Sequence, residues 1–165
     1  MANRQHAVKR SVGPPGRSPA GDAFSALAIR VLRLGALLTE VGDALAEPAG
    51  QTSARWQVLA AAERAPATAA QIARALGLTR QSVQRVADLL ERDGLAAYED
   101  NPDDRRANLL CLTARGRAAL ATIQKAQRVW ADELGAKVGR ADLLRASEVL
   151  DSVLAAVQSR PPRGE

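Results

Sequence analysis

From Phe24 the apolar residues recur at alternating steps of three and four: Phe24, Leu27, Val31, Leu34, Leu38, Val41 and Leu45. That is the helical period, so a long amphipathic helix is predicted, its apolar arc widened by Ile29, Leu32 and Leu37. A helix apolar over so broad an arc must pack against more than one neighbour. Pro48 and Gly50 are expected to end it. The same period returns in Leu143, Ala146, Leu150, Val153 and Val157. Two long helices at opposite ends of the chain, both over-supplied with apolar surface, suggest a shared dimer interface. Pattern alone is equally compatible with two stripes that serve an intrachain core.

Shorter elements lie between them. Thr52 is placed to cap a helix holding Trp56, Val58 and Leu59, and Thr68 with Gln71 forms a capping-box signal for a helix through Ala75. Gly77 and Leu78 read as a tight turn, after which Thr79 starts a helix that Gly94 closes. Two short strands follow, Leu95 to Glu99 and Ala107 to Leu112, joined by Asp100 to Arg106 with Asn101-Pro102 marking the turn. Thr113 caps a helix carrying Leu120, Ile123, Trp130 and Leu134, and Gly139 breaks it before the last helix.

Two of these pieces carry chemistry. In the helix from Thr79, Val83, Val86, Ala87 and Leu90 share a face that packs on the preceding helix. The opposite face shows Arg80, Gln81, Gln84 and Arg85. Arginine pairs with guanine O6 and N7, and glutamine with adenine N6 and N7, which is how a major groove is read. These residues occupy the first half of the helix, the part that a recognition helix points into the groove. Thr79 and Ser82 are suited to phosphate contact near the helix N-terminus. An ordinary solvated face, with a pair such as Arg85 and Asp88, explains the same pattern. The hairpin weighs against that reading, because Arg105 and Arg106 stand at its tip, where guanidinium groups can enter a narrow, electronegative minor groove.

The stretch DRRANLLCLTARG, an Asp, an Arg two later, then aliphatic-x-Leu-Thr-x-x-Gly, together with TRQSVQRVADLLERD, resembles the MarR family of bacterial transcription regulators. The resemblance runs from about Asp22 to Gln158. It implies a mainly α fold with a small β-hairpin wing: a winged helix-turn-helix with long N- and C-terminal dimerisation helices. The implied function is that of a homodimeric repressor on a pseudo-palindromic operator in double-stranded DNA. Carried over by residue, Asp104 orients the wing, Arg106 is its minor-groove arginine and Arg105 backs the phosphate contacts. Leu110, Leu112, Thr113 and Gly116 join wing to helix. Tyr98 stands where many members have a basic residue. Small aromatic or anionic effectors of the family bind between the dimerisation helices and the DNA-binding lobe, so Trp56, Arg55, Arg30 and Gln127 are the expected pocket residues. The DNA-binding lobe is expected over about 52–116 and the dimerisation helices over about 22–47 and 117–158. These lie within a domain spanning 21–159.

Composition narrows the alternatives. Apolar residues make up 47% but aromatics 2%, so the core must be built of Ala, Leu and Val, as packed helices are. A net charge of +5 suits a polyanionic partner without identifying one. Residues 1–20 read as a flexible basic arm around Lys9, Arg10 and Arg17, and residues 160–165 as a disordered tail. The sole histidine, His6, lies in that arm, and the sole cysteine is Cys111. Neither a metal site, nor a cofactor, nor His-dependent catalysis is therefore expected, and the chain reads as no enzyme. No apolar run is long enough for a membrane span and no secretory h-region follows the basic N-terminus, so a cytoplasmic protein is expected. Two rival readings stay open: a helical protein-interaction module without DNA binding, and a redox-responsive regulator acting through Cys111.

Overall fold

A computed structural model describes residues 18–159, which fall into two units divided between Thr39 and Glu40. The first unit is the leading part of helix α1 (Pro19–Ala46). Its start corrects the expected arm boundary: Ser18 accepts from the Gly21 amide through Oγ at 3.1 Å, and Pro19 opens the helix behind it. Proline suits a first helical position, where its missing N–H has no intrahelical partner to lose. The rest of the arm and the C-terminal tail lie outside the described residues. Along this unit Phe24, Ile29, Val31, Leu32, Leu34, Leu37 and Leu38 are all exposed.

The second unit opens on the last turns of α1, which a 3₁₀ turn at Glu47–Ala49 closes with Gly50 at φ +66°. Gly42 lies so close to Ser53 that a Cβ there would meet Ser53 Oγ at 2.7 Å, and Asp43 accepts from the Ser53 amide at 2.7 Å. Helix α2 (Ser53–Arg64) is capped by Thr52, and α3 (Ala69–Leu76) by the reciprocal Thr68–Gln71 box at 3.2 and 2.8 Å. Gly77 and Leu78 turn the chain into α4 (Arg80–Arg92), capped by Thr79. Strands β1 (Ala96–Glu99) and β2 (Leu109–Leu112) pair antiparallel, Ala96 with Leu112 through Glu99 with Leu109. Helices α5 (Ala114–Val138) and α6 (Arg140–Ser159) complete the described chain, separated by Gly139.

Both strands are shorter than expected, for local reasons. The Leu95 amide donates to Leu90 O at 2.8 Å and its carbonyl accepts from Thr113, so Leu95 belongs to the turn that ends α4. Ala107 likewise donates to Asp104 O at 3.1 Å and is part of the hairpin loop. One pairing was not expected: the Leu110 amide donates to Ala67 O at 2.9 Å, an antiparallel bridge that adds the residue before the Thr68 cap to the edge of the hairpin.

The core of this unit gathers Val58, Leu59, Ile72, Val83, Leu90, Leu110 and Leu120, each essentially without solvent exposure. Burying a side chain of this size contributes roughly 1.5–3 kcal/mol, and here it clamps α2, α3, α4, β2 and α5 together. Aliphatic residues fill it, as the scarcity of aromatics requires. Helix α6 buries none of its residues, and Leu143, Leu144, Val149, Leu154 and Val157 face solvent.

Candidate nucleic-acid interface

The solvent face of α4 is built by its cap. Thr79 Oγ1 accepts from the Ser82 amide at 3.2 Å, and Ser82 Oγ donates back to the Thr79 carbonyl at 2.9 Å. This fixes the first turn with Thr79, Arg80, Gln81 and Ser82 exposed, while Val83, Ala87 and Leu90 anchor the opposite face in the core. Arg85 is exposed one turn on. Arg80 and Gln84 line the cleft toward the wing, and with Gln81, Arg85 and Asp88 they line a second depression along the exposed face of α4 itself. The Arg85–Asp88 pair considered for a merely solvated face does not form.

The wing tip is shaped by two acceptor side chains. Asn101, buried, accepts from the Asp103 amide at 3.0 Å, and Asp104 Oδ1 accepts from the Arg106 amide at 3.0 Å. Such Asx turns impose a fold on the loop without help from a strand ladder. Asp104 thus sets the backbone from which Arg106 projects. Arg105 and Arg106 are exposed, and among the described residues neither they nor Arg80 and Arg85 form ion pairs. The cleft between α4 and the wing brings Arg80, Gln84, Tyr98, Arg105 and Arg106 together with Arg74 of α3. Sequence reasoning passed over Arg74 and saw Asn101 only as a marker of the turn. Arg74 sits in the last turn of its helix, where a basic residue is an ordinary complement to the helix dipole and signals nothing more.

Gln84 is not disposed as expected. Its Nε2 donates to Asp88 Oδ1 at 2.8 Å and to the Tyr98 hydroxyl at 2.7 Å, and that hydroxyl donates to Asp88 Oδ1 at 2.8 Å. Tyr98, on β1, is half-buried, and burial together with the Asp88 carboxylate pushes its phenol well above the ordinary range. The hydroxyl therefore keeps its proton.

The residues expected around an effector each have contacts of their own. Arg55 is engaged elsewhere: its guanidinium pairs with the Asp93 carboxylate and donates to Leu89 O at 3.4 Å, holding α2 to the end of α4. The bond from Arg55 keeps the Asp93 carboxyl below its usual range. Trp56 is half-buried against the core and Gln127 is half-buried on α5. Arg30, in the first unit, is exposed and donates to Ala26 O one turn back at 2.8 Å. Cys111 pairs with Ala97 across the hairpin; burial and the neighbouring Glu99 carboxylate push its thiol upward. Among the described residues no cluster of His, Cys, Asp or Glu is placed to hold a metal, and no helix is long and apolar enough to cross a membrane.

Residues 49–107, from the turn before α2 to the wing, match the family model described as MarR family. An uncharacterized protein of Mycobacterium tuberculosis is 38% identical over 141 residues, covering 86% of this chain and 99% of that one. The M. tuberculosis transcriptional regulator MosR, solved in complex with DNA, is 26% identical, with 80% of this chain and 96% of that chain covered and a TM-score of 0.69. The transcriptional repressor CouR, solved on a 23-mer DNA duplex, is 28% identical, with 87% and 99% covered and a TM-score of 0.66.

Proposed function

The chain belongs to the MarR family, and from that premise we propose that it is a homodimeric repressor that grips a pseudo-palindromic operator and releases it to a small effector. Membership makes it a DNA-binding transcription regulator, not an enzyme. The finer reading rests on one observation: Arg80 of α4 and Arg105 and Arg106 of the wing face one cleft, and none of them forms an ion pair among the described residues. In each subunit α4 lies in a major groove, with Arg80, Gln81 and Arg85 toward base edges and Thr79 and Ser82 toward phosphates. Arg106 enters the flanking minor groove and Arg105 holds the backbone beside it. The two copies of α4 stand about 34 Å apart, one turn of B-DNA. The lobe over about 52–116 does the gripping, and the apolar faces of α1 and of α6 are each covered by a second copy of the chain. Its place is the cytoplasm, with the chromosome.

Release belongs to a small aromatic or anionic molecule. It acts only through unequal affinity for the gripping and released states. An anion competing for Arg55 would free Asp93 and loosen the end of the recognition helix, and the half-buried Trp56 beside it would report the event by fluorescence. Thiol oxidation is disfavoured, since a thiol pushed upward presents little thiolate.

A salt titration tests the grip. Operator fragments recovered from genomic DNA should bind with roughly six to ten phosphate contacts, so affinity should fall by about three to five decades between 50 and 200 mM salt. Arg106→Ala should weaken binding at every salt concentration without lowering the melting temperature. A flat titration would reject the reading in favour of a protein-interaction module.

A further inference from the structure

We propose that Tyr98 is a positioning residue that withdraws Gln84 from base reading and ties the wing to the recognition helix. The inference rests on the proposed grip and assigns discrimination within it. Reading adenine by glutamine requires both ends of the amide, Nε2 donating to N7 and Oε1 accepting from N6. A glutamine amide nitrogen has two hydrogens. In this structure both are directed within the protein, one to Asp88 Oδ1 at 2.8 Å and one to the Tyr98 hydroxyl at 2.7 Å. The hydroxyl gives its single proton to Asp88 at 2.8 Å, which closes a ring of three side chains.

The ring spans two elements. Gln84 and Asp88 lie one turn apart on α4, while Tyr98 lies on β1 opposite Leu110. Leu110 is fully buried and also bridges to Ala67, so the strand behind Tyr98 is firmly seated. The wing is thereby held to the helix at the same point where the glutamine is turned away. Base discrimination by this helix then falls to the exposed Arg80, Gln81 and Arg85, the two arginines forming no ion pair among the described residues. Tyr98→Phe keeps the aromatic group but removes the hydroxyl that accepts from Gln84 and donates to Asp88, which frees one hydrogen of Gln84 for a base.

Selection from a random-sequence duplex library separates the outcomes, using the full chain and the variants Gln84→Ala, Tyr98→Phe and the pair combined. Gln84→Ala should enrich the wild-type motif unchanged at every position. Tyr98→Phe should bind that motif about three- to tenfold more weakly, the size of one ordinary hydrogen bond lost between wing and helix. It should also gain an adenine preference at one position of each half-site, and the double variant should lack that gain. A merely structural tyrosine would lower affinity without adding a preference. Loss of a base preference in Gln84→Ala overturns the proposal, as does a Tyr98→Phe profile identical to wild type in both affinity and sequence. If the wild-type protein enriches no motif while remaining folded, the DNA-binding reading beneath the proposal is what fails.

Discussion

Arg55 and Asp93 show how one pair of side chains ties one helix to the end of another. Arg55 Nε is buried without a partner, so the guanidinium depends on the carboxylate and the Leu89 carbonyl for compensation. Replacing Asp93 by Asn should leave that half-buried cation poorly paired and lower the melting temperature at pH 7. The sign of the pH dependence follows from the lowered carboxyl. A group ionised more readily in the folded than in the unfolded chain stabilises above its unfolded value, here 3.8, and stops doing so as pH falls through the folded one. The gap between wild type and Asp93→Asn should therefore be widest at neutral pH and close below about pH 4. Melting curves across that range check it, and a gap independent of pH would mean that the aspartate acts by shape alone. Cys111 illustrates the opposite case: burial and the neighbouring Glu99 carboxylate both oppose ionisation of its thiol.

Among the elements, what sequence could reveal was what local chemistry encodes. Thr52, Thr68 with Gln71, Thr79 and Thr113 each bond an amide three residues on, so their roles lie within a four-residue window. The stripe of Val83, Ala87 and Leu90 was legible for the same reason. What stayed hidden links distant positions or uses no side chain. The bridge from Leu110 to Ala67 is backbone alone, Arg55 reaches Asp93 across 38 residues, and Tyr98 reaches Gln84 across 14. Gly116 falls between these cases. Its place in the Leu-Thr-x-x-Gly signature was visible, whereas its reason was not. A Cβ there would lie 1.9 Å from Leu95 O, because α5 starts against the turn that ends α4. Thr113 locks the same junction, donating from Oγ1 to Gly94 O at 2.8 Å and accepting from the Gly116 amide at 3.1 Å. Gly116→Ala must push helix from hairpin and should cost about 1–3 kcal/mol, the range for forced overpacking. Denaturant unfolding measures it directly. An unchanged midpoint would mean that the junction yields freely, and the wing would then be less rigidly based than proposed.

At the scale of the whole molecule, the unusual feature is how much apolar surface one chain leaves in water. Leu32 is 75% exposed and Ile29 68% in the first unit, and Leu154 is 57% and Val149 55% exposed in the second. Scattered exposed leucines are ordinary, but sustained apolar faces along whole helices mark surfaces that another chain covers. A second copy is the occupant that fits the function, since a pseudo-palindrome is read by two identical lobes. Because these side chains already face solvent in the single chain, charging them removes little that the single chain's own fold needs. Leu32→Glu and Leu154→Glu should thus retain wild-type helicity yet sediment as monomers at micromolar concentration, where the wild type sediments as a dimer. Operator affinity should collapse with the dimer, because each monomer engages one half-site and loses the gain from linking two binding events. A wild-type monomer in the ultracentrifuge, or a charged variant that stays dimeric and keeps full operator affinity, would place the partner of these faces elsewhere.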